Sequence, residues 1–174
     1  ANPEALRKAA ELLVAAQAPL IIADTLGRNP KSVPLLVALA ELLAAPVVDK
    51  GARFNFPTVN SLDATDGARD LLAKADVILA LDVGDIFGSI TTVSKQTRDC
   101  EYVTAPAVKL ISISMNDMLV HSWAGDYQAL QALDIAMSAD TFVALPELTR
   151  LCRELLNNDA KKKDAVEARR RELG

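Results

Sequence analysis

The chain alternates short, largely apolar runs with longer segments in which apolar residues recur every three or four positions. A short apolar run is typical of a strand that is buried on both faces of a parallel sheet. Such runs cover residues 19–23, 46–49, 76–81, 109–114 and 133–137. The pattern therefore predicts buried strands at these places, with helices in the segments between most of them.

The segments with helical spacing predict the helices that would cover the sheet. They cover residues 3–17, 31–43 and 67–74, and a last helix follows Asp140. Asp66 and Asp140 are predicted to cap the helices after them, because a carboxylate accepts hydrogen bonds from the free N–H groups of a first helical turn. The remaining stretches are predicted as a surface loop (50–61), a loop or short helix (82–108) and irregular structure (115–128).

This alternation of strands and helices predicts the α/β class, in which each crossover between parallel strands is right-handed. We expect a doubly wound, mainly parallel, Rossmann-like sheet of five to six strands with helices on both faces. Residues 3–156 are predicted to form this domain. Residues 157–174 alternate basic clusters with acids and are predicted to be a charged helix or linker at its edge.

The composition argues against two classes of binding partner, nucleic acids and membranes. The chain has 174 residues, of which 51% are hydrophobic, and its formal net charge is −4. The apolar share is enough for a folded core, and the acidic balance argues against nucleic acid, which needs a basic surface. No apolar run reaches the roughly 18 residues of a membrane span, and the first residues do not resemble an export signal. The expected location is the cytoplasm, with no membrane partner.

In a doubly wound sheet, ligands bind beyond the carboxyl ends of the strands, at the point where the strand order reverses. The loops after the first and third strands are expected at that switch point. The candidate cofactor-binding residues in these loops are Asp24, Thr25, Gly27, Asp82, Gly84 and Asp85.

Neither loop carries a specific ligand motif. Asp24 stands where a dinucleotide site would have the first glycine of G-x-G-x-x-G, and a carboxylate repels a phosphate. An ordinary turn between strand and helix is the favoured interpretation of this loop. Asp82 and Asp85 could meet a ribose or a metal, although acids in a loop are more often simply solvated.

The reactive side chains elsewhere do not form a catalytic group. His121 lies beside Ser122, which does not make a triad because triad members meet through folding, and an exposed loop histidine is favoured. Cys152 falls on the apolar stripe of the last helix, and Cys100 has acidic neighbours that disfavour its thiolate. The sequence therefore predicts no catalytic residues and no metal ligands.

Several segments resemble the central domain of thiamine-diphosphate-dependent enzymes, the group that includes acetolactate synthase, benzoylformate decarboxylase and pyruvate oxidase. The segments that carry the resemblance are AAQAPLIIA (15–23), LAELLAAPVV (39–48), FNFPT (54–58), LLAKADVILAL (71–81), ISIS (111–114) and Ala139-Asp140 with Leu145 and Leu148. The resemblance rests on the order and spacing of these segments and extends over roughly residues 3–156.

The resemblance implies that the chemistry belongs to other domains. In that family one flanking domain supplies a glutamate that activates the aminopyrimidine, and another holds the diphosphate through a divalent metal such as magnesium. Neither motif occurs in this sequence. The implied role is a non-catalytic scaffold within a parent lyase or transferase that decarboxylates or carboligates 2-oxo acids. Its partners would be the flanking domains of the same chain, with residues 157–174 leading to the next one, and the parent would be a homo-oligomer.

Some central domains of this family bind FAD or an adenine nucleotide. Flavin-binding members carry an arginine where Gly84 stands and a His-Gly pair where this chain has residues 66–67, so FAD is not expected. Ser112 and Ser114 replace the acids that would contact a ribose. Two alternatives stay open: a nucleotide-binding module for FAD, ADP or CoA at the switch point, and a stand-alone enzyme that uses His121 or an acid pair.

Overall fold

The computed structural model describes residues 1–94, 96–115 and 129–173. Its strands are β1 (Pro19–Ala23), β2 (Val47–Asp49), β3 (Val77–Leu81), β4 (Thr91–Val93), β5 (Cys100–Tyr102), β6 (Lys109–Ser114) and β7 (Ile135–Ser138). Five of them form a sheet in the order β2-β1-β3-β6-β7, and each neighbouring pair is parallel. The predicted parallel sheet is confirmed.

The helices are α1 (Pro3–Ala15), α2 (Ser32–Leu43), α3 (Ala68–Lys74), α4 (Ile86–Ile90), α5 (Thr141–Asn157) and α6 (Ala160–Leu173). Asp140 caps α5 as predicted, because its carboxylate accepts a hydrogen bond from the N–H of Phe142 at 2.9 Å. The predicted cap at Asp66 is wrong. That residue lies inside a 3₁₀ turn, Thr65–Gly67, and Gly67 is the residue that precedes α3.

Alternate residues of β1 pack on opposite faces of the sheet, which explains why this run is apolar throughout. Ile21 and Ala23 of β1 pack in the larger core with α1, α2 and α5. Leu20 and Ile22 pack in the second core with residues of α3 and α4. The prediction of helices on both faces is therefore confirmed. None of the helices in the described parts of the chain is both long and apolar enough to cross a bilayer.

The segment predicted as a loop or short helix contains α4 and also an antiparallel hairpin, β4–β5, which the sequence did not predict. Thr91 pairs with Tyr102 in this hairpin, and the Tyr102 ring packs edge-on against Phe87 with ring centroids 5.8 Å apart. Each strand has only three residues, and β5 is exposed throughout. Strands this short and exposed leave no alternating apolar pattern to detect.

The outer edge of β2 is covered by the chain itself. The N–H of Val47 donates to the carbonyl oxygen of Leu62 at 2.8 Å, and the N–H of Ala64 donates back to the carbonyl of Val47 at 2.9 Å. Unpaired edge groups invite pairing with another chain. The segment after the 50–61 loop therefore protects this side of the sheet.

The charged C-terminal segment forms α6, and most of its side chains are exposed as the charge pattern predicts. Two are buried: Val166 is 3% exposed and Arg169 is 9% exposed. The charge pattern did not indicate a buried arginine in this segment. That residues 157–174 lead to another domain stays a prediction.

Candidate functional site

The loops after β1 and β3 lie side by side at the carboxyl edge of the sheet, because these two strands are parallel neighbours. The backbone N–H and the hydroxyl of Thr25 both donate to the carbonyl oxygen of Asp82, at 3.2 and 3.0 Å. The N–H of Gly84 donates to the carboxylate of Asp24 at 3.3 Å. The structure thus brings four of the six candidate residues together at the predicted switch point.

Asp82 is a fully buried carboxylate on an unusual backbone. Its φ of 51° lies in the left-handed region that residues with a Cβ rarely adopt. One carboxylate oxygen accepts a hydrogen bond from the hydroxyl of Thr141 at 2.7 Å, and the other lies 3.5 Å from the guanidinium of Arg28. A buried charge needs such partners, because its transfer from water is otherwise costly. Asp82 therefore ties the β3 loop to the start of α5.

Asn55 connects three segments at the same edge, although it lies in the predicted surface loop. Its side-chain amide N–H groups donate to the carbonyl oxygen of Asp24 and to the carboxylate of Asp49, both at 2.6 Å. Its side-chain oxygen accepts from the N–H of Gly27 at 2.8 Å. Asn55 is 0% exposed, and its partners Asp24, Gly27 and Asp49 are half-buried. The amide holds the β1 loop, the end of β2 and the 50–61 loop in one arrangement.

Gly27 is a glycine because the chain passes very close to it. A Cβ built at this position would lie 2.0 Å from the carbonyl oxygen of Phe54. The close approach that dinucleotide sites use for a pyrophosphate is used here for the protein's own backbone.

Asp85 caps the short helix α4. Its carboxylate accepts from the N–H of Gly88 at 2.8 Å, and its carbonyl oxygen accepts from the hydroxyl of Ser89 at 2.6 Å. Both bonds lie within the first turn of α4, so Asp85 acts as the cap of that helix.

The chemistry available at this edge follows from these bonds. A phosphate would need unoccupied backbone N–H groups, but those of Gly27 and Gly84 already donate to Asn55 and Asp24. Over residues 1–94, 96–115 and 129–173, no three His, Cys, Asp or Glu side chains come close enough together to hold a metal ion. The described groups bind one another, and cofactor binding by the six candidates stays a prediction.

The remaining reactive residues do not extend the site. Cys152 is buried in the larger core, and this burial raises the pKa of its thiol to about 12, so the thiolate is disfavoured. Cys100 is exposed on β5. His121 and Ser122 lie outside the described residues.

Sequence reasoning missed three members of the polar network: Asn55, Asp49 and Thr141. The sequence contains a weak signal for them, since each stands at the end of a predicted strand, at the start of a predicted helix, or in the loop between. Their partners are up to 59 residues distant along the chain. Only the sheet topology brings them together.

Comparisons with known proteins agree on the fold. The sequence model of the family described as "Thiamine pyrophosphate enzyme, central domain" matches residues 6–131. A protein from Mycobacterium smegmatis described as thiamin diphosphate-dependent is 19% identical, with a TM-score of 0.65 over 86% of this chain. Benzoylformate decarboxylase from Polynucleobacter necessarius is 16% identical, with a TM-score of 0.64 over 86% of this chain. This chain spans only 28% and 27% of those two proteins, respectively. No curated protein sequence matches it.

Proposed function

The chain belongs to the family of thiamine pyrophosphate enzyme central domains, and from this premise we propose that it is a non-catalytic scaffold domain. The parent enzyme would use thiamine diphosphate and a divalent metal such as magnesium to decarboxylate or carboligate 2-oxo acids. The observation that carries the proposal is the occupied switch point, where the N–H groups of Gly27 and Gly84 are taken by Asn55 and Asp24.

The described residues do not fit thiamine diphosphate. A diphosphate held through a divalent metal needs several oxygen ligands converging on one point. No cluster of three suitable acidic, histidine or cysteine side chains is present in the part of the chain that the structure describes. The backbone N–H groups of Gly27 and Gly84, which a phosphate would otherwise contact, already donate to Asn55 and Asp24. We therefore place the cofactor in the flanking domains of the parent.

A scaffold needs rigid attachment points, and the carboxyl edge supplies one. Asn55 and Asp82 fix the loops after β1, β2 and β3 and the start of α5 relative to one another. Buried polar side chains with several hydrogen-bond partners favour a single arrangement of the groups they join. In the proposed role this edge keeps two catalytic domains at a constant spacing, and residues 157–174 lead to the second of them. The parent would be a cytoplasmic homo-oligomer.

The first test is titration calorimetry of the 174-residue chain with thiamine diphosphate and Mg²⁺. We expect no binding heat, with circular dichroism confirming that the chain is folded. Tight binding that disappears when Mg²⁺ is removed would contradict the scaffold role directly.

The second test uses the full protein encoded by the source gene. We expect it to consume 2-oxo acids such as pyruvate or benzoylformate only when thiamine diphosphate and a divalent metal are both added. A gene that encodes no flanking domains would refute the proposal, as would a full protein that is inactive on a broad panel of 2-oxo acids.

The nucleotide-binding alternative has one observation in its favour. Arg28 lies at the switch point and is about one-third exposed, so a phosphate could pair with it. A thermal-shift assay with millimolar FAD, ADP and CoA separates the two ideas, because even weak binding at that concentration raises the melting temperature by mass action. We expect no shift. A shift that is lost in Arg28→Met would instead support a nucleotide site.

A further inference from the structure

The guanidinium of Arg169 in α6 is buried against two helix ends. It donates hydrogen bonds to the carbonyl oxygens of Ala16 at 2.9 Å, Gln17 at 3.4 Å and Ala44 at 3.1 Å, and also to that of Leu43. These carbonyls follow α1 and end α2. One side chain therefore joins two helix C-termini that lie more than 120 residues away in sequence.

The physical basis of this contact is the unsatisfied end of a helix. The last carbonyl groups of a helix have no partner within it, and their partial negative charge attracts a cation. Ala44 has a left-handed φ of 46°, a conformation that favours glycine, and its carbonyl is one of the acceptors of Arg169. Arg169 thus holds the strained end of α2 in place.

The α1–β1 turn is held from two sides. Asp76 accepts hydrogen bonds from the N–H groups of Gln17 at 2.7 Å and Ala18 at 3.0 Å, and Arg169 takes the carbonyls of the same turn. Burial lowers the pKa of Arg169, and the nearby negative charge of Asp76 opposes that effect. The position of α6 is therefore linked to the start of β1, whose other end forms the switch point.

The rest of α6 is attached by little apolar surface. Among the described residues of α6, Val166 is the one buried apolar residue, and Leu173 packs half-buried against the same core. A cavity of about 300 Å³ lined by Arg170, Leu173 and the end of α2 flanks it on one side, and a cavity of about 90 Å³ lined by Val166 and Leu156 flanks it on another. Arg170 adds a hydrogen bond to the carbonyl of Glu41 at 2.7 Å. Hydrogen bonds to carbonyls, more than apolar packing, hold this helix.

We propose that α6 is a latch that opens as a unit while the sheet and α1–α5 stay folded. Arg169 is the group that closes it, and the short connection between α5 and α6 is the hinge. Opening exposes few apolar groups and returns the carbonyls of α1 and α2 to water, so it needs less free energy than global unfolding. The latch couples the segment that contains α6 to the α1–β1 turn.

Hydrogen exchange followed by mass spectrometry tests this proposal on the 174-residue chain. In the wild type we expect the amides of α6 to exchange at least ~10-fold faster than those of β1 and β3. Arg169→Lys keeps the charge but cannot span the carbonyls with a planar fork of donors. We expect it to raise α6 exchange by a further ~10–100-fold, the range for loss of hydrogen bonds from a charged group, with β1 and β3 much less affected.

Arg171→Lys is the matched control, since Arg171 is exposed on the same helix, and we expect no change in exchange. Equal exchange of α6, β1 and β3 in the wild type would overturn the proposal, and so would equal effects of the two variants. If Arg169→Lys does not fold, the wild-type comparison alone decides between a latch and a helix that unfolds only with the whole domain.

Discussion

Replacement of Asn55 by alanine tests whether the polar network at the carboxyl edge stabilises the fold. The substitution removes the partners of the Gly27 N–H and of the Asp24 carbonyl. Asn55 is fully buried, so water does not take its place without rearrangement. An unpaired buried polar group costs about 1–3 kcal/mol. Two such groups predict a loss of about 2–6 kcal/mol in the free energy of unfolding, a large share of the roughly 5–15 kcal/mol typical of a domain.

Urea unfolding at pH 7, followed by far-ultraviolet circular dichroism, measures this loss. With a slope of about 1–3 kcal/mol per molar urea, we expect the midpoint to fall by at least ~0.7 M. Asn157→Ala is the control, because Asn157 is exposed and its loss is expected to change stability by less than ~0.5 kcal/mol. Asn55→Asp places a second carboxylate against Asp49 and should be at least as destabilised as Asn55→Ala. Equal midpoints for Asn55→Ala and Asn157→Ala would refute the reasoning.

Three further predictions rest on single contacts. Gly27→Ala is expected to destabilise the chain by about 1–3 kcal/mol in thermal unfolding, because the new Cβ would overlap the backbone of Phe54. Its control is Gly67→Ala, which has nothing within 4 Å of its Cβ and should stay within ~0.5 kcal/mol of the wild type. A similar loss of stability in both variants would contradict this account. Hydrogen bonds from a lysine and a backbone amide lower the pKa of Asp134. Its contribution to stability is therefore present above its unfolded pKa of about 3.9 and is lost as the pH falls through the lower folded value. Unfolding curves should show that Asp134→Asn is less stable than the wild type at pH 7 and that the difference shrinks as the pH is lowered below the unfolded pKa; a difference that does not change with pH would contradict this account. A thiol reagent, with mass spectrometry as the readout, should label the exposed Cys100 in the native chain but label Cys152 only after denaturation. The reason is that the Cys152 thiol is buried and its pKa is raised to about 12. Labelling of both cysteines at one rate in the native chain would show that the core is open.

Local sequence patterns were enough to predict most of the strands and helices of the fold. The apolar runs that became β1 and β6 were predicted with the same bounds as in the structure. Both sides of such strands are buried, so apart from Lys109 at the exposed start of β6 every residue in these runs is apolar or small, and the runs are visible without any alignment of partners. The cap at Asp140 was predictable for the same reason, since a cap bonds to residues next to it in the chain. The position of the switch point followed from the α/β class, which places the loops after neighbouring parallel strands together.

Only the tertiary structure determines which partners the polar groups of those loops bind. Gly27 was a candidate for contact with a phosphate, but the structure explains the glycine by the Phe54 carbonyl that passes beside it. The sequence pattern predicted Asn55 to be an ordinary loop residue and Arg169 to be one of several solvated charges. In the structure both are buried, and both donate hydrogen bonds to backbone carbonyls in distant segments. A periodicity of two or 3.6 residues reports only which side of one element is apolar. It contains no information about which distant backbone groups lack a partner, and in this domain those groups determine where the buried polar side chains lie.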